Sequence, residues 1–180
     1  PETSAPLLYV PQWRPEAITS HDGTTTALTL VEDGDSIATL LAAHCKVRQL
    51  STAVAVGRDT GDEPVILAPN PALAPLVLAQ RLLEAAHNLT ARRVLVLARG
   101  NGASCEAIAA AAALAPALGR RGWSVLRLGE SRPDASMARA ILAEAAVDAE
   151  ATEAAWQDGQ RNVRRMQLLD TTPAAWNLPQ

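Results

Sequence analysis

Apolar residues along this chain fall into short continuous runs separated by polar, turn-rich stretches, the pattern of strands buried on both faces. Residues 7–13 (LLYVPQW) form a strand candidate, and Pro11 pushes it toward an edge or a strand end. Residues 14–26 are polar and turn-rich and read as exposed. A short buried strand follows at 27–31 (ALTLV), then a turn at 32–35, after which Asp35 or Ser36 caps a helix reaching about His44. Residues 47–50 and 53–56 are weaker strand candidates, and 57–63 read as a loop. The run 64–68 (PVILA) is a buried strand leading into Asn70-Pro71, a cap followed by proline at the first helical position. That helix runs to about Asn88, with Pro75 as an alternative start. Residues 93–98 (RVLVLA) make the clearest strand. Ser104 then caps a long alanine-rich helix ended by Gly119 and Gly122. Residues 123–128 alternate like a strand, 134–146 are helical, and 152–157 and 160–166 flank Asp158-Gly159, a hairpin signal.

Strands alternating with helices imply βαβ units and a parallel sheet covered on both faces. The expected fold is therefore α/β: a truncated Rossmann-like layer, mostly parallel, flanked by helices and closed by a C-terminal β-hairpin. Residues 7–169 make up this domain, with 1–6 and 170–180 read as linkers and the first residues as the cut end of a longer chain. A length of 180 residues suits one such domain. Hydrophobic residues make up 48% but aromatics only 3%, with no Phe, so Leu, Val and Ala must build the core.

Composition narrows the chemistry. A net charge of -3 and a pI near 5.6 argue against nucleic acid as a partner. No run reaches the length of a membrane span, and no signal peptide opens the sequence, so a cytoplasmic location is expected. Cys45 and Cys105 suggest neither a disulfide framework nor a metal site and read as free thiols. A dinucleotide site needs a glycine-rich turn after the first strand. The nearest candidate, Gly100, Gly102 and Ser104, follows a middle strand and has Cys105 where a third glycine belongs. Short-chain reductases pair a catalytic Tyr with a Lys four residues on, but this chain has one Tyr, Tyr9, and one Lys, Lys46. No catalytic residue and no cofactor are therefore assigned to this segment. His44 and Cys45 read as a half-buried pair beside the core, and His87 as a cation near a helix C-terminus. Arg161, Arg164 and Arg165 follow an acidic stretch that includes Glu144, Glu153 and Asp158, and read as a solvated charged hairpin or a docking edge. Trp13, Trp156 and Trp176 are candidates for an interface or for the core.

Two stretches carry a resemblance. Leu8-Tyr9-Val10-Pro11-Gln12-Trp13-Arg14-Pro15 resembles the Leu-Tyr-x-x-x-Trp-x-Pro strand that opens the ketoreductase region of modular polyketide synthases. Residues 153–166 (EAAWQDGQRNVRRM) look like the hairpin of the same region, acidic-x-x-x-Arg-Asp-Gly-x-Arg-Tyr-Val-x-Arg-Leu, with Asn162 in place of the aromatic and Met166 in place of Leu. The order of elements between them, over roughly 150 residues, is similar to the structural half of such a ketoreductase.

That half binds no cofactor and supports a catalytic half, which holds the NADPH loop and the catalytic Ser, Tyr, Asn and Lys. The resemblance thus implies a non-catalytic scaffold whose partners are neighbouring synthase domains: the catalytic ketoreductase half, an enoylreductase or a methyltransferase. The acyl carrier protein would be met only indirectly. Tyr9, Trp13, Trp156, Arg161, Arg164 and Arg165 are the interface candidates. A pseudo-ketoreductase serving as spacer or dimer contact is the close alternative. A small nucleotide-binding enzyme using the turn from Gly100 to Ser104, with a pocket near residues 98–102, is the other.

Overall fold

Eight strands join in one sheet, in the order β1-β8-β7-β6-β5-β4-β2-β3. They are β1 (Tyr9–Pro15), β2 (Ala27–Glu32), β3 (Lys46–Leu50), β4 (Val65–Ala68), β5 (Val94–Arg99), β6 (Trp123–Gly129), β7 (Glu153–Gln157) and β8 (Gln160–Leu168). Among the described residues four helices flank the sheet: α1 (Ala38–Ala42), α2 (Pro75–Asn88), α3 (Gly102–Leu114) and α4 (Ala135–Ala146). The computed structural model describes residues 9–18, 26–32, 37–51, 63–89, 91, 93–118, 122–129, 133–147, 153–157 and 159–168. Strands β3, β2, β4, β5, β6 and β7 run parallel, while β8 is antiparallel to β7 and β1 to β8. The architecture is the expected Rossmann-like α/β layer with an antiparallel C-terminal strand pair.

Alternation along the central strands sorts the core into two layers. Val94, Val96 and Ala98 of β5 pack with Leu78 and Leu82 of α2 and with Cys105 and Ile108 of α3. Leu95 and Leu97 of the same strand pack on the other face with Leu41 of α1 and Met137 and Ile141 of α4. The core is mostly the expected Leu, Val and Ala, with Ile, Cys105, Met137 and Trp123, the last 3% exposed.

The helix faces reveal a departure from the usual winding. From β4 to β7 the chain steps in one direction across the sheet, and α2 and α3 lie on one face. The step from β2 to β3 goes the other way, with α1 on the opposite face, so these three connections share one hand. Between β6 and β7 the chain steps in the same direction as before, yet α4 lies on the α1 face. That connection has the opposite hand, although parallel crossovers are right-handed in about 98% of cases.

Several boundaries differ from the sequence reading, each for a local reason. The opening strand extends through Arg14 and Pro15, which are paired to β8 and not loop. Helix α1 has five residues and starts after Ile37 with no side-chain cap; Asp35 and Ser36 lie outside the described residues. His44 follows α1 and is exposed, so it does not pair with the core beside Cys45. Pro75, not Pro71, occupies the first turn of α2. Asn70 instead accepts the Ala72 N–H at 3.0 Å in an Asx turn. Asn101, not Ser104, caps α3, which ends at Leu114 in a 3-10 turn over Ala115–Leu118. The strand candidate at 53–56, most of the loop at 57–63, and Gly119, Asp158 and Trp176 lie outside the described residues. Gly159 of the hairpin has φ +77°, as an Asp-Gly turn needs.

Candidate functional site

The candidate sites are the Gly100 turn, a cleft at the ends of β2 and β4, and the margin of the sheet formed by β1, β8 and β7. At the turn, β5 ends at Arg99 and Gly100 reverses the chain with φ +100°. A Cβ built there would sit 3.2 Å from Pro71 Cβ and 3.4 Å from Ser104 Cβ, so only glycine fits without displacement. Asn101 Oδ1 accepts the Ser104 N–H at 2.9 Å, and the Asn101 carbonyl accepts the Cys105 N–H at 3.0 Å. The Cys105 thiol donates toward the carbonyls of Ala98 and Gly100, each at 3.5 Å. Ser104 is 2% exposed. The Asn101 side chain thus takes one of the backbone donors that a pyrophosphate would use at this helix N-terminus. At Gly102 an added Cβ would meet nothing within 4 Å, so no contact requires glycine there.

A cleft opens at the carboxyl ends of β2 and β4, where the chain leaves the sheet in opposite directions. This is the switch point at which doubly wound sheets bind ligands. Val31, Leu67, Ala68, Pro69, Asn70, Leu73, Arg81, Leu82 and Ala85 line it. It is partly open to solvent, with a cavity volume of about 20 Å³. It does not lie near residues 98–102, where the nucleotide-binding alternative expects a pocket.

The sheet margin brings together the two stretches that carry the resemblance. β1 pairs with β8 over its whole length, from Tyr9 opposite Leu168 to Pro15 opposite Asn162. Cross-strand partners share a face. Tyr9, Pro11, Trp13, Asn162, Arg164 and Met166 therefore lie on the α2/α3 side. Arg161, Val163 and Arg165 lie on the α1/α4 side, where Val163 joins the core.

On the α1/α4 side, Arg161 is buried, not solvated. Its guanidinium makes two hydrogen bonds to the Glu144 carboxylate of α4, from Nε to Oε1 and from Nη2 to Oε2, the latter at 3.1 Å. Trp156 Nε1 donates to the same Glu144 Oε1 at 3.2 Å. The side chains of Arg161 and Glu144 are 5% and 4% exposed. Arg161 also reaches the Glu16 carbonyl at 3.4 Å and its carboxylate at 3.5 Å, and Arg165 binds Glu16 at 2.8 Å. Burial works against the Arg161 charge, yet the Glu144 hydrogen bonds and attraction to Glu144 and Glu16 outweigh it, and its pKa rises. Expected as an interface residue, Arg161 is a clamp joining the hairpin, α4 and the end of β1. Trp156 is half-buried beside it.

On the other side, Arg127 of β6 is the hub. It donates to both Glu106 oxygens of α3, at 2.7 and 3.1 Å, and to Glu153 of β7. Arg164 binds the second Glu153 oxygen at 2.8 Å. The Arg127 guanidinium lies 5.7 Å from the Trp13 ring centre, a cation–π contact. Hydrogen bonds from Arg127 hold the Glu106 carboxyl below the usual carboxylate range, and the pKa of Arg127 itself is raised, chiefly by the Glu106 hydrogen bonds. Around this quartet the surface is apolar and open: Tyr9 is 53%, Trp13 43% and Met166 65% exposed. The sequence points to Tyr9, Trp13 and Arg164, and to Glu144 and Glu153 only as members of an acidic stretch, but not to Arg127 or Glu106. Arg127, Glu106 and Glu144 lie 12 to 26 residues from their partners, across helices and strands, which no local motif marks.

No group of three or more His, Cys, Asp or Glu among the described residues is arranged to hold a metal. No described helix is long and apolar enough to cross a membrane. No protein-family model matches the chain, and no curated protein matches it significantly.

Proposed function

We propose that the chain is a non-catalytic scaffold subdomain, the structural half of a ketoreductase region in a modular polyketide synthase. On this reading it supports a neighbouring domain that reduces β-ketoacyl chains held on a carrier protein. The observation that carries the proposal is the sheet margin. The two resembling stretches are hydrogen-bonded neighbours there, and they present an exposed apolar surface. Exposed aromatic residues grouped in this way are suited to burial against another domain. NADPH and the catalytic residues would belong to the partner, and the cytoplasm would be the place of work.

Calorimetric titration of the folded chain with NADPH tests the cofactor side, and a flat trace is expected. Micromolar binding abolished by Gly102→Val would instead make the Gly100 turn a nucleotide site. The partner side is tested by co-expression with a catalytic ketoreductase half. Soluble, co-purifying reductase is expected with the wild-type chain and reduced recovery with Tyr9→Asp. Equal recovery with and without the chain would remove the scaffold role.

A further inference from the structure

We infer that Arg99, at the carboxyl end of β5, is the receptor of an anion site that takes a phosphate group on the α1/α4 side of the sheet. Two arginines are buried among the described residues, Arg161 at 6% exposure and Arg99 at 8%. Arg161 is matched by Glu144. Among the described residues, no hydrogen bond, ion pair or ring contact reaches Arg99. A guanidinium keeps its charge in any protein site and carries five donors in a fixed fork. Buried without an anion, such a charge is strongly destabilising. The fold therefore holds a cation ready for a partner that the described residues do not supply.

The surroundings suit an anion. Alternation along β5 places Arg99 on the side of Leu95 and Leu97, which pack with α1 and α4. Strand β6 runs parallel to β5, and α4 follows β6 and packs on both strands. Helix α4 therefore begins at the same end of the sheet as Arg99, on the same face. Its first N–H groups and the positive end of its dipole lie there. The Asp134 carboxylate is engaged as the cap, accepting the Met137 N–H at 2.8 Å, which leaves the N–H groups of exposed Ala135 and Ser136 open. The pairing of β5 with β6 is also irregular at this point: Ala98 faces Arg127, but Arg99 faces Gly129. Bulges re-aim side chains next to sites, and a glycine opposite offers no side chain to fill the space beside the guanidinium.

Phosphate is the group that uses both features, since its oxygens accept from a guanidinium fork and from backbone N–H groups at a helix start. The carboxyl ends of parallel strands are also where open α/β sheets hold their ligands. This place is distinct from the two described above. Helix α3 packs on the opposite face, so the Gly100 turn is not part of it. Val31 and Leu67, which line the cleft at β2 and β4, belong to that opposite face too. The inference goes beyond the scaffold reading and does not rest on it, because a phosphate can bind whether or not a reductase half is present.

Thermal melts of the full 180-residue chain, in phosphate and in chloride buffer of equal ionic strength, provide the test, with Arg99→Met and Arg99→Gln as variants. In chloride, the variants are expected to be at least as stable as the wild type, because an unmatched charge has been removed. In phosphate, the wild type is expected to melt about 3 °C higher than in chloride. That rise is counted beyond the one the variants share, which reports the general exclusion of phosphate from protein surfaces. Calorimetry with inorganic phosphate should show millimolar or tighter binding to the wild type and to Gly102→Val, and none to the Arg99 variants. Glycerol phosphate binding more tightly than inorganic phosphate would mark the ligand as a phosphate ester, and equal binding would mark it as free phosphate. Arg99 variants that are unfolded or clearly less stable in chloride would mean that the guanidinium is matched within the chain, which overturns the inference. So does a phosphate response that is the same in the wild type and the Arg99 variants, or one lost with Gly102→Val alone.

Discussion

Glu144 illustrates how far a single residue can bind elements that sequence keeps apart. Its carboxylate accepts hydrogen bonds from both Arg161 and Trp156, and removing it leaves a guanidinium in a nearly dry site. Breaking one side of a buried pair costs about 3–5 kcal/mol, whereas replacing both sides by apolar groups of similar size is far milder. Glu144→Ala should therefore destabilise the chain severely in urea unfolding, and Glu144→Leu with Arg161→Met should recover most of the loss. Equal damage from the single and double variants would mean the pair is not the source. Glu106 offers a weaker, pH-readable case. Its carboxyl is held below the usual range by Arg127, so its contribution is present above the unfolded-state value. The contribution is lost as pH falls through the lower folded value. The Glu106 side chain is 68% exposed, so solvent screening keeps the effect small. A carbon-detected NMR titration should show Glu106 protonating at lower pH than an ordinary glutamate, and Arg127→Gln should return it to the ordinary range.

At the scale of an element, the start of α3 shows what is legible in the sequence and what is not. A strand, a glycine turn and an alanine-rich helix are all readable from residues 93–118, and the structure has them in that order. The cap is not, because Asn101 and Ser104 both offer suitable side chains and Ser104 is the one the sequence favours. What decides between them is tertiary: Gly100 must turn with positive φ against Pro71, which starts the helix one residue after Asn101. Three substitutions separate these roles in thermal melts. Asn101→Ala should cost about 1 kcal/mol through the lost cap. Gly100→Ala should cost more than that, from its left-handed φ and the 3.2 Å approach to Pro71 Cβ. Gly102→Ala, at an open helical position, should be neutral or gain up to about 1 kcal/mol. A Gly102→Ala variant as damaged as Gly100→Ala would show that both glycines are structurally required.

Across the whole molecule, the order of elements is legible but the winding is not. The apolar stripe of α4, with Met137, Ala138, Ile141 and Ala145 buried, says that one side of the helix is covered. It does not say by which face of the sheet. That choice leaves no described helix on the α2/α3 side of β7, β8 and β1, beside a final strand at the end of the sheet. Pro11 points to an edge, and β1 is indeed the end of the sheet. Pro15, which its polar, turn-rich neighbours make look like loop, completes the same device further along the strand. Glu16 N donates to Arg161 O, so the odd-numbered residues of β1, both prolines included, face outward, and among the described residues of β1 only Tyr9 and Trp13 keep an N–H there to meet an incoming strand. Replacing Pro11 and Pro15 together by Thr, a good strand former, restores two donors without disturbing the hydrogen bonds to β8. The variant should retain its fold by circular dichroism and yet form β-rich aggregates faster, seen as rising light scattering and thioflavin fluorescence. Met166→Lys, which alters the face but not the edge, should not share that acceleration. Aggregation of the proline variant at the wild-type rate would mean the edge is protected by something other than its prolines.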